Sequence, residues 1–410
     1  MTAAAAGVDC DVAIVGAGMV GATLACCLAE GGLRVALVEA APPPEDWPAD
    51  SVDARVSALT AASRQIFRRI GAWRAMAERG VSPFDRMQVW DAGGTGSIRF
   101  DCAEIGEPHL GHIVENRVIQ RTLLERAREF GNVTLHCPAG LATLTPMEAS
   151  IRIGLSDATA FDARLVVGAD GAASRVRQLA GIATRGWSYV QEALVATVAT
   201  ELPHQETAWQ RFLPQGPLAF LPLRDGRSSI VWSMEPAQAQ ELLRLAEAEF
   251  MERLAAAFEY RLGRITAAGG RGAFPLRLQH AASYIAPRLA LIGDAAHIIH
   301  PLAGQGVNLG LLDAAALAEA VLDAAAAGAD IGAPRVLRRY ERWRKGDNLQ
   351  MMLAMDGFKR LFGSAAPLLR IARNLGLDLA DAASPLKHAI IRRAMGLRGD
   401  LPRLARQAYI

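Results

Sequence analysis

At 410 residues, 51% hydrophobic and 21% charged, the chain has the make-up of a globular protein with room for two cored domains. A formal net charge of +2 leaves no footprint for a nucleic acid, so no nucleic-acid partner is expected. Its five cysteines show neither metal-ligand spacing nor a CxxC pair, so no metal is expected and the thiols read as packed side chains in a reducing, cytoplasmic compartment. No basic and then apolar leader precedes the first strand, and no run of about 18 uncharged apolar residues offers a spanning helix.

In chain order, Asp11-Val12-Ala13-Ile14-Val15 reads as a buried parallel strand that runs into Gly16-Ala17-Gly18-Met19-Val20-Gly21. An apolar helix follows up to Gly31-Gly32, and a second strand, Arg34 to Val38, ends on Glu39. Each part has a physical task in holding a dinucleotide. Gly16 permits the tight turn, Gly18 lets the backbone approach a pyrophosphate, and Gly21 lets helix and strand pack closely. The helix N-terminus meets the phosphate charge, and Glu39 can accept from a ribose.

Pro42-Pro43-Pro44 reads as a surface connection. Met87-Gln88-Val89-Trp90 and Ser97-Ile98-Arg99-Phe100 read as strands joined across Gly93-Gly94-Thr95-Gly96, a glycine cluster without the helix that a phosphate site needs. The strand Arg164 to Gly168 leads to Asp170-Gly171 and a turn in which Ser174 can cap a short helix. Between 186 and 280 the runs Glu192–Val198, Ala219–Leu223 and Ser229–Ser233 predict a sheet, the last two as a hairpin across Asp225-Gly226.

Gly293-Asp294 then precedes His300-Pro301-Leu302-Ala303-Gly304-Gln305-Gly306-Val307-Asn308-Leu309-Gly310, closed by Asp313. Glycines so placed before an alanine- and leucine-rich helix make a loop that can lie flat against a planar ligand. From Gly332 onward the pattern is helical, with ten Lys and Arg against four Asp and Glu between Met351 and Ile410.

The N-terminal fingerprint, the Asp-Gly segment and the Gly293-Asp294 segment together resemble the three-part pattern of the flavin-dependent aromatic hydroxylases that have a single nucleotide-binding fold. The segment His300 to Asp313 resembles the signature of the ubiquinone-biosynthesis hydroxylases within that class. Other stretches are similar to that family as well: Arg55–Thr60 with Ile70–Trp73, His112–Ile119, Gly216–Leu223 with Val231–Ser233, and Phe274-Pro275-Leu276.

That resemblance implies an α/β protein with a Rossmann-type FAD-binding domain of the p-hydroxybenzoate-hydroxylase kind, assembled from residues 1–75, 112–182 and 284–325. It implies a β-sheet substrate domain from 76–111 and 183–283, and a C-terminal helical region over 326–410. FAD is the expected resident cofactor, with NADPH or NADH as a transient reductant and O2 as co-substrate. The flavin carries the oxygen chemistry, which fits the absence of a nucleophile, triad or metal cluster in the sequence.

By the same resemblance, Gly16, Gly18, Gly21 and Glu39 hold the adenosine half and pyrophosphate, while Asp170 serves both flavin and nicotinamide nucleotides. Asp294, after Gly293, accepts from the ribityl chain. Gly304, Gln305, Gly306, Val307 and Asn308 line the isoalloxazine through their backbone, and Pro301 places a carbonyl beside the ring. Arg117 and Arg55 resemble basic residues near the ribityl-phosphate region; the alternative for each is an ordinary surface arginine. His297 and His300 are the histidines placed to help deprotonate a phenol, with packing inside the loop as the plainer reading. Trp187, Tyr189, Phe212, Phe220 and Trp232 are candidates for an aromatic pocket or for plain core.

The expected reaction is hydroxylation of the ring of a polyprenyl phenol or benzoquinol precursor of ubiquinone, leaning to 2-polyprenyl-3-methyl-6-methoxy-1,4-benzoquinol or a neighbouring ring position. Alternatives are a same-fold hydroxylase of a soluble phenol, or a non-catalytic flavoprotein subunit of a biosynthetic complex. The basic C-terminal helices suit either a peripheral contact with an anionic membrane surface or with partner proteins, or a tail packed with a solvated face.

Overall fold

A computed structural model of the chain describes residues 8–43, 47–48, 51–53, 55–299, 305–363, 374, 381 and 383–407. The strand Cys10–Val15 is buried on both faces and lies at the centre of a sheet ordered 285–286, 289–291, 160–168, 10–15, 35–38, 133–136. Its neighbours Ala160–Gly168 and Val35–Val38 are parallel to it, as are the next strands out, Leu289–Leu291 and Val133–His136. Covering helices on both faces explain why these strands are almost continuously apolar in sequence. The helix Met19–Glu30 buries every residue from Gly21 to Ala29 against this sheet and the helix Gln305–Ala326.

A second, nine-stranded sheet is built around the long strand Thr184–Thr200, which pairs antiparallel with Ser228–Met234 on one side and Gly272–Ala281 on the other. The hairpin Gly216–Pro222 with Ser228–Met234 forms as expected. Arg86–Asp91 and Ser97–Asp101 extend this sheet beyond Thr207–Leu213. Side chains alternate across it. Leu194, Ala196, Val198, Leu218, Phe220 and Ile230 pack behind it on the helices Pro236–Arg244 and Glu247–Ala257. Phe220 and Trp232 belong to that core layer, while Phe212 packs on the opposite side with Val89, Ile98 and Phe362.

A separate three-stranded sheet joins Val56–Leu59, Gly111–Glu115 and Val81–Phe84. The helix Pro334–Gly363, about 45 Å long at 1.5 Å per residue, reaches from the parallel sheet to the nine-stranded one. At one end Tyr340 donates to the Leu291 carbonyl (2.7 Å), and at the other Phe362 stacks on Phe212 with centroids 4.0 Å apart. The five cysteines are free; burial pushes the Cys10 and Cys26 thiols up to about 12, so both stay protonated.

Candidate cofactor site

Three chain segments meet at the carboxyl ends of the parallel strands. The first is the glycine turn after Cys10–Val15. Gly16 has φ +102°, and a Cβ there would lie 2.4 Å from the Ala169 carbonyl oxygen. A Cβ on Gly21 would lie 1.9 Å from the Gly16 oxygen, so the first helix can approach its own turn only without a side chain. Gly18 differs, because a Cβ there would meet no described residue within 4 Å. Its freedom from protein contact, at a helix N-terminus with no side-chain cap, is what a bound pyrophosphate requires. Glu39 Oε2 accepts from the Ala17 N–H at 2.7 Å, tying the end of the second strand to the middle of the turn.

The second segment is Asp170-Gly171. Asp170 Oδ2 accepts from the Val176 N–H (3.0 Å) and Ser174 Oγ from the Arg177 N–H (3.0 Å), so acid and cap coexist at one helix start. Asp170 Oδ1 is buried without a partner among the described residues, leaving an acceptor for a ligand. Arg177 links this segment to the third: its guanidinium donates to the Ala295 carbonyl (2.8 Å) and the Ala172 carbonyl (2.8 Å).

In the third segment every residue from Leu289 to His297 is buried except Asp294. Gly293 adopts φ +58°, which turns the chain and presents the Asp294 side chain outward. Protein packed around Asp294 raises its carboxyl above the ordinary value by desolvation, while the His297 and Arg55 charges pull it back. Arg55, its guanidinium 5.5 Å from the Phe274 ring centre, thus belongs to the same neighbourhood and lies beside the strand Gly272–Ala281 of the nine-stranded sheet.

The loop of the third segment continues at Gln305, which begins the long helix. His300, Pro301 and Gly304 lie outside the described residues, as does the side chain of Gln305. A Cβ on Gly306 would meet no described residue within 4 Å, while one on Gly310 would lie 2.7 Å from Val20 Cγ2. Gly306 therefore has an open face, and Gly310 permits the first and last helices of the site to touch. Val307 is half-buried and packs on the main core. The Asn308 side chain serves packing: Oδ1 accepts from the Thr60 N–H (3.0 Å) and Ser63 Oγ (2.7 Å), and Nδ2 donates to the Ala58 carbonyl (2.8 Å).

Arg117 is engaged within the protein. It donates to the Ser51 hydroxyl (2.9 Å) and to the Ser51 carbonyl, pairs with Glu115 (2.8 Å) and lies over the Trp47 ring at 4.6 Å. His297 is buried, with Nε2 donating to Asp313 Oδ2 at 2.5 Å. Asp313, which accepts from the Gly293 N–H, and Arg344, which pairs with it, are buried residues that the sequence did not single out as site residues. Asp313 stood only as the end of a motif, and Arg344 is one of several arginines on a charged helix with nothing to mark it out.

Open backbone at Gly18 and Gly306, a buried unpaired acceptor on Asp170 and an outward acid at Asp294 fit a dinucleotide whose phosphates lie on a helix N-terminus. These features define a nucleotide-binding flavoprotein. The chain belongs to the FAD-binding-domain family, which it matches over residues 9–351, and as a member it is an FAD-dependent monooxygenase. It is 41% identical over 387 residues to a protein of Escherichia coli (strain K12) named 3-demethoxyubiquinol 3-hydroxylase, covering 94% of this chain and 98% of that one. Rhodospirillum rubrum has a relative named ubiquinone hydroxylase UbiL, 40% identical over 97% of this chain and 92% of its own length. Among solved structures, p-nitrophenol 4-monooxygenase PnpA of Pseudomonas putida DLL-E4 has the same fold, with a TM-score of 0.77 at 19% identity over 95% of this chain and 98% of that chain.

Proposed function

We propose that the protein hydroxylates the ring of a polyprenyl phenol or benzoquinol on the route to ubiquinone, the lean being to a methoxylated, methylated benzoquinol late in that route. The observation that carries this reading is the similarity to ubiquinone hydroxylases over nearly their whole length, which takes in the nine-stranded sheet as well as the cofactor segments. When bound, FAD supplies the redox and oxygen chemistry, with NADPH or NADH as the reductant.

The chain's own residues bind, orient and exclude water. The N–H groups that open the first helix would meet the pyrophosphate, and Asp294 would accept from the ribityl hydroxyls. The open backbone at Gly306 would lie against the ring system. The nine-stranded sheet closes over the substrate and keeps solvent from the reacting ring. A polyprenyl tail would bring the enzyme to a membrane surface; among the described residues no helix is long and apolar enough to cross one.

The test is complementation of bacterial strains each blocked at one ring-hydroxylation step, with accumulated quinones identified by mass spectrometry. Rescue of a single strain fixes the reaction and the ring position. Failure to rescue any strain, with the protein expressed and flavin-loaded, overturns the reading in favour of another phenol or a non-catalytic role.

A further inference from the structure

Asp313 is wholly buried and accepts four hydrogen bonds. Its Oδ2 takes the Gly293 N–H (3.1 Å) and His297 Nε2 (2.5 Å); its Oδ1 takes Arg344 Nε (2.9 Å) and Asn348 Nδ2 (3.1 Å). Arg344, only 1% exposed, also donates to Asn348 Oδ1 (2.9 Å) and Asp347 (3.1 Å). Burial alone would raise the Asp313 carboxyl, but the hydrogen bonds and charges of His297 and Arg344 outweigh it and hold it down at about 2.

A buried ion pair is weak evidence for stability, because desolvating two charges offsets most of their attraction. What this pair specifies is a position. Gly293 has no side chain to anchor it and stands in the left-handed region, so its N–H is the handle by which the turn can be fixed. Asp313 grips that handle and His297 together, on the two sides of Asp294. Arg344 in turn grips Asp313 from the helix Pro334–Gly363, which contributes no cofactor motif. Glu341, one turn earlier, accepts from Ser283 Oγ (3.0 Å) and the Tyr284 N–H (2.8 Å), so the same helix face also clamps the chain entering this strand and turn.

We infer that Arg344 is a positioning residue for the flavin: acting through Asp313, it sets the geometry of the Gly293-Asp294 turn and hence the affinity for FAD. This rests on the reading that Asp294 holds the ribityl chain. Without Arg344 the buried carboxylate loses the partner that holds its Oδ1 and relaxes toward His297, and the Gly293 N–H loses its fixed acceptor.

The test compares apoproteins by FAD titration and by thermal melting. Arg344→Met should raise the FAD dissociation constant about tenfold or more, the equivalent of about 1.4 kcal/mol. Arg344→Lys, which returns the charge, should recover part of that loss. Trp343→Phe removes a bond from the same helix to the Asp400 carbonyl (2.8 Å) and should lower the melting temperature without changing FAD affinity. If Arg344→Met does not fold, Arg344→Gln is read in its place. A lowered melting temperature with the wild-type FAD dissociation constant would overturn the inference and leave Arg344 a stabilising residue only. Wild-type apoprotein that takes up no FAD would overturn the flavoprotein reading and this inference with it.

Discussion

Glycines that look equivalent in the fingerprint separate once their neighbours are known. Gly21→Ala forces a methyl group to 1.9 Å from a backbone oxygen and should depress the melting temperature of the apoprotein sharply. Gly18→Ala meets no atom of the described residues, at a φ of −69° that any residue adopts, and should leave the apoprotein melting unchanged while weakening FAD uptake. Paired melts and FAD titrations of the two variants check this; equal loss of stability would refute the distinction. Asp294 gives a prediction with a sign. Its carboxyl is raised in the fold, so the unfolded chain releases that proton first, and apoprotein stability falls as pH rises from the unfolded value through the folded one. Asp294→Asn should therefore melt higher than wild type at pH 7 and retain FAD less well. Asp313 behaves oppositely: its contribution is complete above the ordinary value of 3.8 and is lost as pH falls toward about 2.

At the scale of elements, legibility in the sequence followed burial. Parallel strands covered on both faces carry apolar runs, so Val12–Val15, Val35–Val38 and Leu165–Gly168 could be read directly, whereas the start of the third strand, Ala160–Ala163, was not read. The hairpin at Asp225-Gly226 was equally plain, since its turn chemistry is local. The three-stranded sheet was not read, because Val56–Leu59 and Gly111–Glu115 are half a hundred residues apart and short. Nor could the helix Pro334–Gly363 be seen as part of the site, since its buried Arg344 sits among arginines that are exposed or paired at the surface. Asn308, expected to act through its backbone, has a side-chain role the sequence did not show, joining three elements. Asn308→Ala would leave the Thr60 N–H and the Ala58 carbonyl without this partner. We expect a cost of about 1–3 kcal/mol for each buried group left unpaired. Chemical denaturation of the apoprotein measures it, and a loss below about 0.5 kcal/mol would show that other groups take over.

For the whole molecule the question is where the proposed polyprenyl substrate meets a protein in which no described helix is long and apolar enough to cross a membrane. If the basic C-terminal stretch holds the enzyme to an anionic surface, cosedimentation with anionic liposomes should be strong at low salt and should fade as the Debye length shortens to about 8 Å at physiological ionic strength. Absence of binding at low salt would assign that stretch to packing or to protein partners.

The contact between Val20 and Gly310, where a Cβ would come within 2.7 Å of Val20 Cγ2, brings together two parts of the proposed cofactor site nearly three hundred residues apart. A ribosome adding about 5–20 residues per second needs roughly 15–60 s to travel that distance. Through that interval the nascent fingerprint can fold as strand, turn and helix but has no second wall for a flavin. Cofactor capture is thus a late event in the life of each molecule, set by synthesis of its C-terminal third. Cellular FAD supply then matters most for finished chains awaiting their cofactor.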